Sequence, residues 1–304
     1  MISIIIATYN RKNILPKSLA SIFNQTYQDF EVIIVDDGST DNTEQLFQGD
    51  FKNSKIRYIK LPENKGATFA RNKGLEEVRG EYFMVWDSDD ILYPNALETV
   101  FKIYGDNKNL AVVSAPARSL LNGAEIEYPN LPAGMTSKEI IICRSLPANH
   151  KVRIARTDLC GDIRYKVKNI DFLVNVEMVE RGGWYCHAGY LADVILESDT
   201  NSLTVQRKKT NLHLSALRAP YLADYLLKYK ETLLRRCPEN YAGFSYGTSI
   251  GFFVSGDIEK TREFISASLR IKKNLKYLLL YVLTFLPLGI QLLKFTVSVK
   301  NRLV

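Results

Sequence analysis

Two acidic clusters sit where carboxylates can do chemistry. Asp36–Asp37–Gly38–Ser39 and Asp87–Ser88–Asp89–Asp90 each follow an apolar run, Val32–Val35 and Met84–Trp86. A carboxylate at such a place can accept hydrogen bonds from a base N–H or from ribose hydroxyls. The first cluster also reads as an Asx turn capping a helix that begins near Thr43. In the second, three carboxylates within four residues repel one another unless a positive charge lies among them. A divalent cation is the simplest such charge. Mg²⁺ or Mn²⁺ takes one or two protein carboxylates and completes its shell with water and phosphate oxygens, which suits a pyrophosphate ligand. The plainer alternative is a solvated acidic turn before a helix opened by Pro94. A third segment, Asn64–Lys65–Gly66 followed by Ala70–Arg71–Asn72, puts two cations near a helix start, where backbone N–H groups and the dipole also favour anions. Lys65 or Arg71 can meet a nucleotide or its phosphates there, unless Arg71 is simply ion-paired at the surface.

The elements that carry these residues alternate. Apolar runs at Ile2–Ala7, Phe30–Val35, Lys55–Leu61 and Tyr82–Trp86 are interleaved with helical stretches at Pro16–Phe23, Thr43–Phe47 and Ala67–Val78. This rhythm predicts an α/β protein with an open parallel sheet and helices on both faces. Ligands in such sheets bind at the carboxyl ends of strands, where ATYN, DDGST and DSDD fall. Further strands are expected at Val112–Ala115 and Val152–Ala155, flanking an irregular stretch from Pro116 to Pro147. A helix from Asp171 through Glu180 ends at Gly182–Gly183, and Trp184–Ala188 and Asp193–Leu196 read as strands. From about Thr210 the pattern is helical, over 211–235, 240–254, 257–271 and 275–300, with a break at Pro287.

Composition bounds the rest. The chain has 304 residues, 46% hydrophobic and 24% charged, which excludes disordered, collagen-like and disulfide-scaffold classes. Residues 1–204 hold 23 Lys+Arg against 27 Asp+Glu, net −4, whereas 205–304 hold 17 against 6, net +11. Cys143, Cys160, Cys186 and Cys237 show no CxxC pair and no His at ligand spacing, so they are expected to be reduced thiols of a cytosolic protein. The first apolar run lacks a basic leader and reads as a buried strand, not a signal peptide. Residues 277–293 carry no charge between Lys276 and Lys294, and Pro287 and Gly289 interrupt them. An apolar core flanked by cations predicts an in-plane or shallow anchor on a membrane surface; burial against the catalytic domain or a homo-oligomer partner, and a single membrane span, are the alternatives. Nucleic acid is not an expected partner, because the basic tail is oily and lacks stacking positions on a basic sheet.

SIIIATYNR, QTYQDFEVIIVDDGSTDNT, NKGATFARNKGLE and EYFMVWDSDD occur in this order and at the spacing of family 2 glycosyltransferases of the GT-A fold, which residues 1–204 strongly resemble. The resemblance implies a GT-A, Rossmann-like, mostly parallel sheet as the catalytic domain over 1–204, with a nucleotide-sugar half to about 115, an acceptor half to 204, and a helical extension over 205–304. It implies that Ala7, Thr8, Tyr9, Asp36 and Asp37 hold the base and ribose of a nucleotide, usually uridine. Asp87 and Asp89 match the DxD motif and its metal site, with Asp89 the direct metal ligand and Asp87 nearer the donor sugar or a metal-bound water. Arg71 matches a basic donor-site position. The catalytic base of relatives sits in a Glu-Asp pair before a helix that ends in Gly. The RGGWY tail from Arg181 fixes that alignment on Asp171, with Ile170 where the Glu would be. Asp199 falls where relatives carry a metal-proximal His and is a candidate cation ligand there, a plain loop aspartate being the alternative.

The activity implied is inverting, metal-dependent transfer from a nucleotide-sugar donor, expected to be a UDP-sugar, to a glycan or lipid-linked acceptor in surface polysaccharide synthesis. Asp171 would take the acceptor proton, and Mn²⁺ or Mg²⁺ at the DxD would stabilise the leaving diphosphate. The expected location is peripheral, on the cytoplasmic face of a membrane. Two rivals are a degenerate nucleotide binder of the same fold, suggested by Ile170 and Asp199, and a sugar-phosphate nucleotidyltransferase. ATYNR is not the Gly-rich phosphate loop the latter would show.

Overall fold

The computed structural model describes residues 1–105, 107, 109–121, 124–127, 133–143, 150–167, 171–196, 211–286 and 288–302. Two compact units result, Met1–Ile141 with Leu146–Glu197, and Ile142–Ser145 with Ser198–Val304.

In the first unit the elements in chain order are β1 (Ile2–Thr8), α1 (Leu15–Phe23), β2 (Phe30–Asp36), α2 (Gln45–Gln48), β3 (Ile56–Lys60), α3 (Ala67–Glu76), β4 (Tyr82–Asp87), β5 (Ile91–Leu92) and α4 (Ala96–Tyr104). There follow β6 (Leu110–Ala115), β7 (Ala117–Leu121), β8 (Ala124–Ile126), β9 (Gly134–Thr136), α5 (Lys138–Ile142), β10 (Val152–Arg156), α6 (Thr157–Cys160), α7 (Phe172–Arg181), β11 (Gly183–Cys186) and β12 (Ala192–Leu196). The large sheet runs β3-β2-β1-β4-β10-β6-β11-β9 and the small one β5-β12-β7-β8. The stretch expected to be irregular, 116–147, therefore contributes three short strands and α5 among its described residues.

β1 and β2 are apolar on both faces because they lie inside a sheet covered by helices, with Ile2, Ile4, Ile5, Ile6, Val32, Ile33 and Ile34 fully buried. β1 pairs with β2 and β4 in parallel, and the register sets Thr8 beside Asp36 and Ala7 beside Asp87. Three strands thus end at one level, which delivers ATYN, DDGS and DSDD to the same edge. α3 lies against this layer closely enough that a Cβ on Gly74 would stand 2.3 Å from the Ile5 Cγ2. β10 enters antiparallel between β4 and β6, so the sheet is parallel in its first half and mixed in its second.

The second unit is helical, with segments Leu212–Lys228, Lys230–Arg236, Pro238–Ser255, Ile258–Ile271, Leu275–Leu283 and Gly289–Arg302. The starts are capped as their residues predict: Asn211 accepts from the Leu214 N–H, Asp257 from Lys260 and Asn274 from Lys276. Gly256, at φ +86°, ends the third of these helices in the left-handed conformation. Phe253, Ile265, Tyr277, Leu280 and Leu283 form the core. Cys143 and Cys237 are joined by a disulfide, with Cα atoms 5.9 Å apart, which corrects the expectation of four reduced thiols. The two thiols brought within bonding reach are 94 residues apart in sequence, so no local motif announces the pair. Cys160 and Cys186 are free and buried. None of the described helices is long and apolar enough to cross a membrane.

Candidate active site

The loops at the common strand edge are tied to one another by their own polar side chains. The Asn10 N–H donates to the Ser39 hydroxyl at 2.8 Å, and the Asn10 amide oxygen accepts from the Thr40 N–H at 2.8 Å. Asp36 is fully buried and accepts from the Ser39 N–H at 2.7 Å and from the Tyr58 hydroxyl. Burial, and then that hydrogen bond to a carboxylate, push the Tyr58 hydroxyl well above its ordinary pKa. Asp36 is thus an internal brace of the loop and acts at one remove from a ligand. Asp37 accepts from the Lys65 and Gly66 N–H groups, 2.8 Å each. This pair fixes the turn that starts α3, and Gly66 meets the turn at φ +92°, which favours glycine. The Lys65 ammonium points elsewhere, 3.5 Å from Glu63. Thr8 is buried with a hydroxyl that has no partner among the described residues, whereas Tyr9 is 43% exposed. Ala7, Thr8, Tyr9, Asp37 and Lys65 therefore line one edge.

α3 carries three consecutive assignments, which explains the ARN of its sequence. Ala70 is buried, Arg71 reaches the site, and Asn72 clamps the Tyr165 backbone, donating to its carbonyl and accepting from its N–H, both at 2.8 Å. That clamp fixes the backbone at Tyr165. The Arg71 guanidinium spans two carboxylates, at 2.9 Å from Asp87 and 3.4 Å from Asp171, and faces the Tyr165 ring at 5.5 Å. Asp171 stands at the start of α7 without capping it. One of its oxygens meets Arg71 and the other, Oδ1, is buried with no partner among the described residues.

Lys151 completes the cluster and was not visible as a motif. Its ammonium lies 3.1 Å from the second Asp87 oxygen. The antiparallel register, Ala155 opposite Phe83 and Arg156 opposite Tyr82, carried back along β10 puts Lys151 across from Asp87. Only the strand pairing reveals it. Burial alone would raise the Asp87 pKa, but Lys151 and Arg71 outweigh it and hold this carboxyl well below the usual range. The neighbours differ. Burial and the Asp87 charge raise Asp89, and the same causes push buried Asp90 up to about 8. The loop that follows is held by Asp193, which accepts from the Tyr93 hydroxyl at 2.8 Å and from Arg118 at 2.9 Å.

Among the described residues no group of three or more His, Cys, Asp and Glu is arranged around a metal position. The donor set fits a cation with few protein ligands. Asp87 already has two cationic partners, while Asp89 has no ion pair among the described residues and is raised by burial and by the Asp87 charge, which a divalent charge would offset. Asp199 and Ile170 lie outside the described residues.

One strand edge thus gathers the Ala7–Tyr9 segment, the Asp36–Asp37 loop, Asp87 and the Arg71-linked Asp171, and sequence comparison supplies the family. The family described as Glycosyl transferase family 2 matches residues 3–159, and the chain belongs to that family. Glycosyltransferase GlyG of Streptococcus pneumoniae is 36% identical over 103 residues, 34% of each chain. A teichoic acid poly(glycerol phosphate) polymerase of Staphylococcus epidermidis is 35% identical over 147 residues, 45% of this chain and 20% of that protein. The matched stretch spans between 15% and 40% of the length of the curated relatives. Among solved structures, S. aureus TarS residues 1–349 in complex with UDP-GlcNAc superposes with a TM-score of 0.64 at 20% identity, covering 88% of this chain and 81% of that one. That likeness establishes the shared GT-A fold.

Proposed function

We propose that this protein transfers a sugar from a UDP-sugar to a glycan or lipid-linked acceptor by a single inverting displacement, within surface polysaccharide synthesis at the cytoplasmic face of a membrane. Residues 1–204 form the catalytic domain in this reading. One observation carries it: Arg71 links the DxD carboxylate Asp87 to Asp171, whose other oxygen is buried without a partner. An acceptor hydroxyl is the natural donor to that oxygen. The match to TarS, solved with UDP-GlcNAc and with UDP, supports the donor class.

Asp171 takes the hydroxyl proton as the oxygen attacks the anomeric carbon, and Arg71 keeps the carboxylate oriented. Thr8, Tyr9 and the loop braced by Asp36 and Asp37 position the nucleoside. Lys151 and Arg71 hold positive charge beside the place where the diphosphate leaves. Mn²⁺ or Mg²⁺, held through Asp89 with Asp87 behind it, would supply Lewis-acid stabilisation of that leaving group.

Calorimetry of UDP binding with and without Mn²⁺ tests the donor half. Binding that needs the metal and disappears in Asp89→Ala is expected; an absence of UDP binding in every condition overturns the assignment. For the base, Asp171→Asn is expected to keep UDP binding and to lose about 10²-fold or more in transfer. Unchanged turnover would remove Asp171 from the reaction.

A further inference from the structure

The helices Leu275–Leu283 and Gly289–Arg302 each present exposed apolar side chains. Within the first, Tyr277, Leu280 and Leu283 point into the core of the helical unit and are at most 8% exposed. The opposite side carries Leu275, Leu278, Leu279 and Val282 in the open, and Phe285 and Leu286 extend it past the helix end. Leu275 is 80% exposed and Phe295, on the second helix, 69%. A helix hydrophobic all round is ordinarily buried all round, and here half of the surface faces outward. Gly289 brings the two helices into one turn, since a Cβ there would stand 2.1 Å from the Leu283 carbonyl oxygen.

Charge says what covers this face. After Glu263 the chain contains no Asp or Glu to its last residue, while Arg270, Lys272, Lys273, Lys276, Lys294, Lys300 and Arg302 fall in the same stretch. Lys273 and Lys276 are exposed at the start of the first helix and Lys294 on the second, so cations border the oily strip. A second copy of this chain would set those cations against one another. A bilayer with anionic headgroups complements both features, taking the leucines below the headgroup level and the ammonium groups at it. Neither helix is long enough to span, so the pair lies in the plane of the surface.

We propose that this face docks the protein, in plane, on an anionic lipid bilayer, with Leu275, Leu278, Leu279, Val282 and Phe285 inserted and Lys273, Lys276 and Lys294 at the headgroups. The proposal deepens the reading of a membrane-side transferase, but its test uses no sugar transfer, so the two fail separately.

The full chain is to be sedimented with phosphatidylcholine vesicles and with vesicles containing about 30% phosphatidylglycerol. Binding at least about tenfold stronger to the anionic vesicles, weakened by added salt, is expected. Leu275→Glu with Leu279→Glu, both on exposed positions, should abolish it, and Lys273→Glu with Lys276→Glu should remove the anionic preference. Unfolding midpoints equal to wild type show that the variants fold. Sedimentation velocity of the same samples reports self-association. Equal binding to both vesicle types, binding that survives the leucine changes, or a dimer lost in the leucine variant without vesicle binding would each overturn the proposal.

Discussion

Replacing Arg71 by Met tests the link between the DxD motif and Asp171. At 2.9 Å and 3.4 Å a unit charge pair is worth about 1 kcal/mol in water and about 5 kcal/mol at an effective dielectric of about 20. The Asp87 and Asp171 side chains are 35% and 32% exposed, so the true values fall between these limits, and desolvation of the guanidinium offsets part of them. We expect double-mutant coupling of about 1–3 kcal/mol between Arg71→Met and Asp87→Asn, and about 0.5–1.5 kcal/mol between Arg71→Met and Asp171→Asn. Urea unfolding at pH 7, followed by fluorescence, is the assay. Both tryptophans, Trp86 and Trp184, are buried in the sheet-bearing unit and report on it. The pH sign follows from Asp87. Its folded pKa lies below the ordinary one, so the coupling is present at and above about pH 4 and fades only as the pH falls further. Arg71→Lys should restore little, because one ammonium does not reproduce a fork that meets two carboxylates. Couplings below about 0.3 kcal/mol, or a stronger coupling to Asp171 than to Asp87, would show that Arg71 does not bridge the two groups as described.

Two further tests concern stability. Burial, with the Arg153 charge adding to it, pushes His150 down to about 4 from an unfolded value near 6.5, so unfolded chains take up a proton that folded ones refuse. The His150 contribution to stability should therefore fall by about 3 kcal/mol between pH 7 and pH 4, opposed by the raised Asp90, and it is read as the difference between the wild-type and His150→Gln urea-midpoint profiles; parallel profiles would exclude His150 as a source. Reduction of the Cys143–Cys237 disulfide, which closes a loop of 94 residues, should lower the stability of the helical unit by about 2–5 kcal/mol. Melting with and without reductant measures it, with Cys143→Ser as the reductant-insensitive control, and identical wild-type curves would mean that the bond does not form.

How much of this was legible in the sequence depended on how local each signal was. The parallel half was readable because β1, β2 and β4 are continuous apolar runs that each end in polar turn residues, and their shared register then followed from the fold. Asp171 was reachable only through the spacing of its helix to RGGWY. Lys151 had no such marker. Its role depends on β10 entering antiparallel beside β4, and periodicity does not encode strand order. Asp36 and Asp37 look alike in sequence, yet one is sealed in by Tyr58 and Ser39 while the other braces the start of α3. The Cys143–Cys237 bond was equally hidden, since covalent pairing at that separation leaves no local pattern.

That bond belongs to a unit that is discontinuous along the chain. Ile142 and Cys143 are buried, and their carbonyls accept from the Tyr225 hydroxyl and, at 2.6 Å, from the Asn240 amide. On a ribosome adding about 5–20 residues per second, Cys237 emerges roughly 5–19 s after Cys143, a delay set by the 94 residues between them. During that interval the nascent chain presents an apolar turn and a thiol without the helices that later enclose them. A shorter chain that stops before Cys237 never leaves this condition. Expressing the sheet-bearing residues alone should therefore yield a stickier protein than the full chain, whatever its catalytic competence.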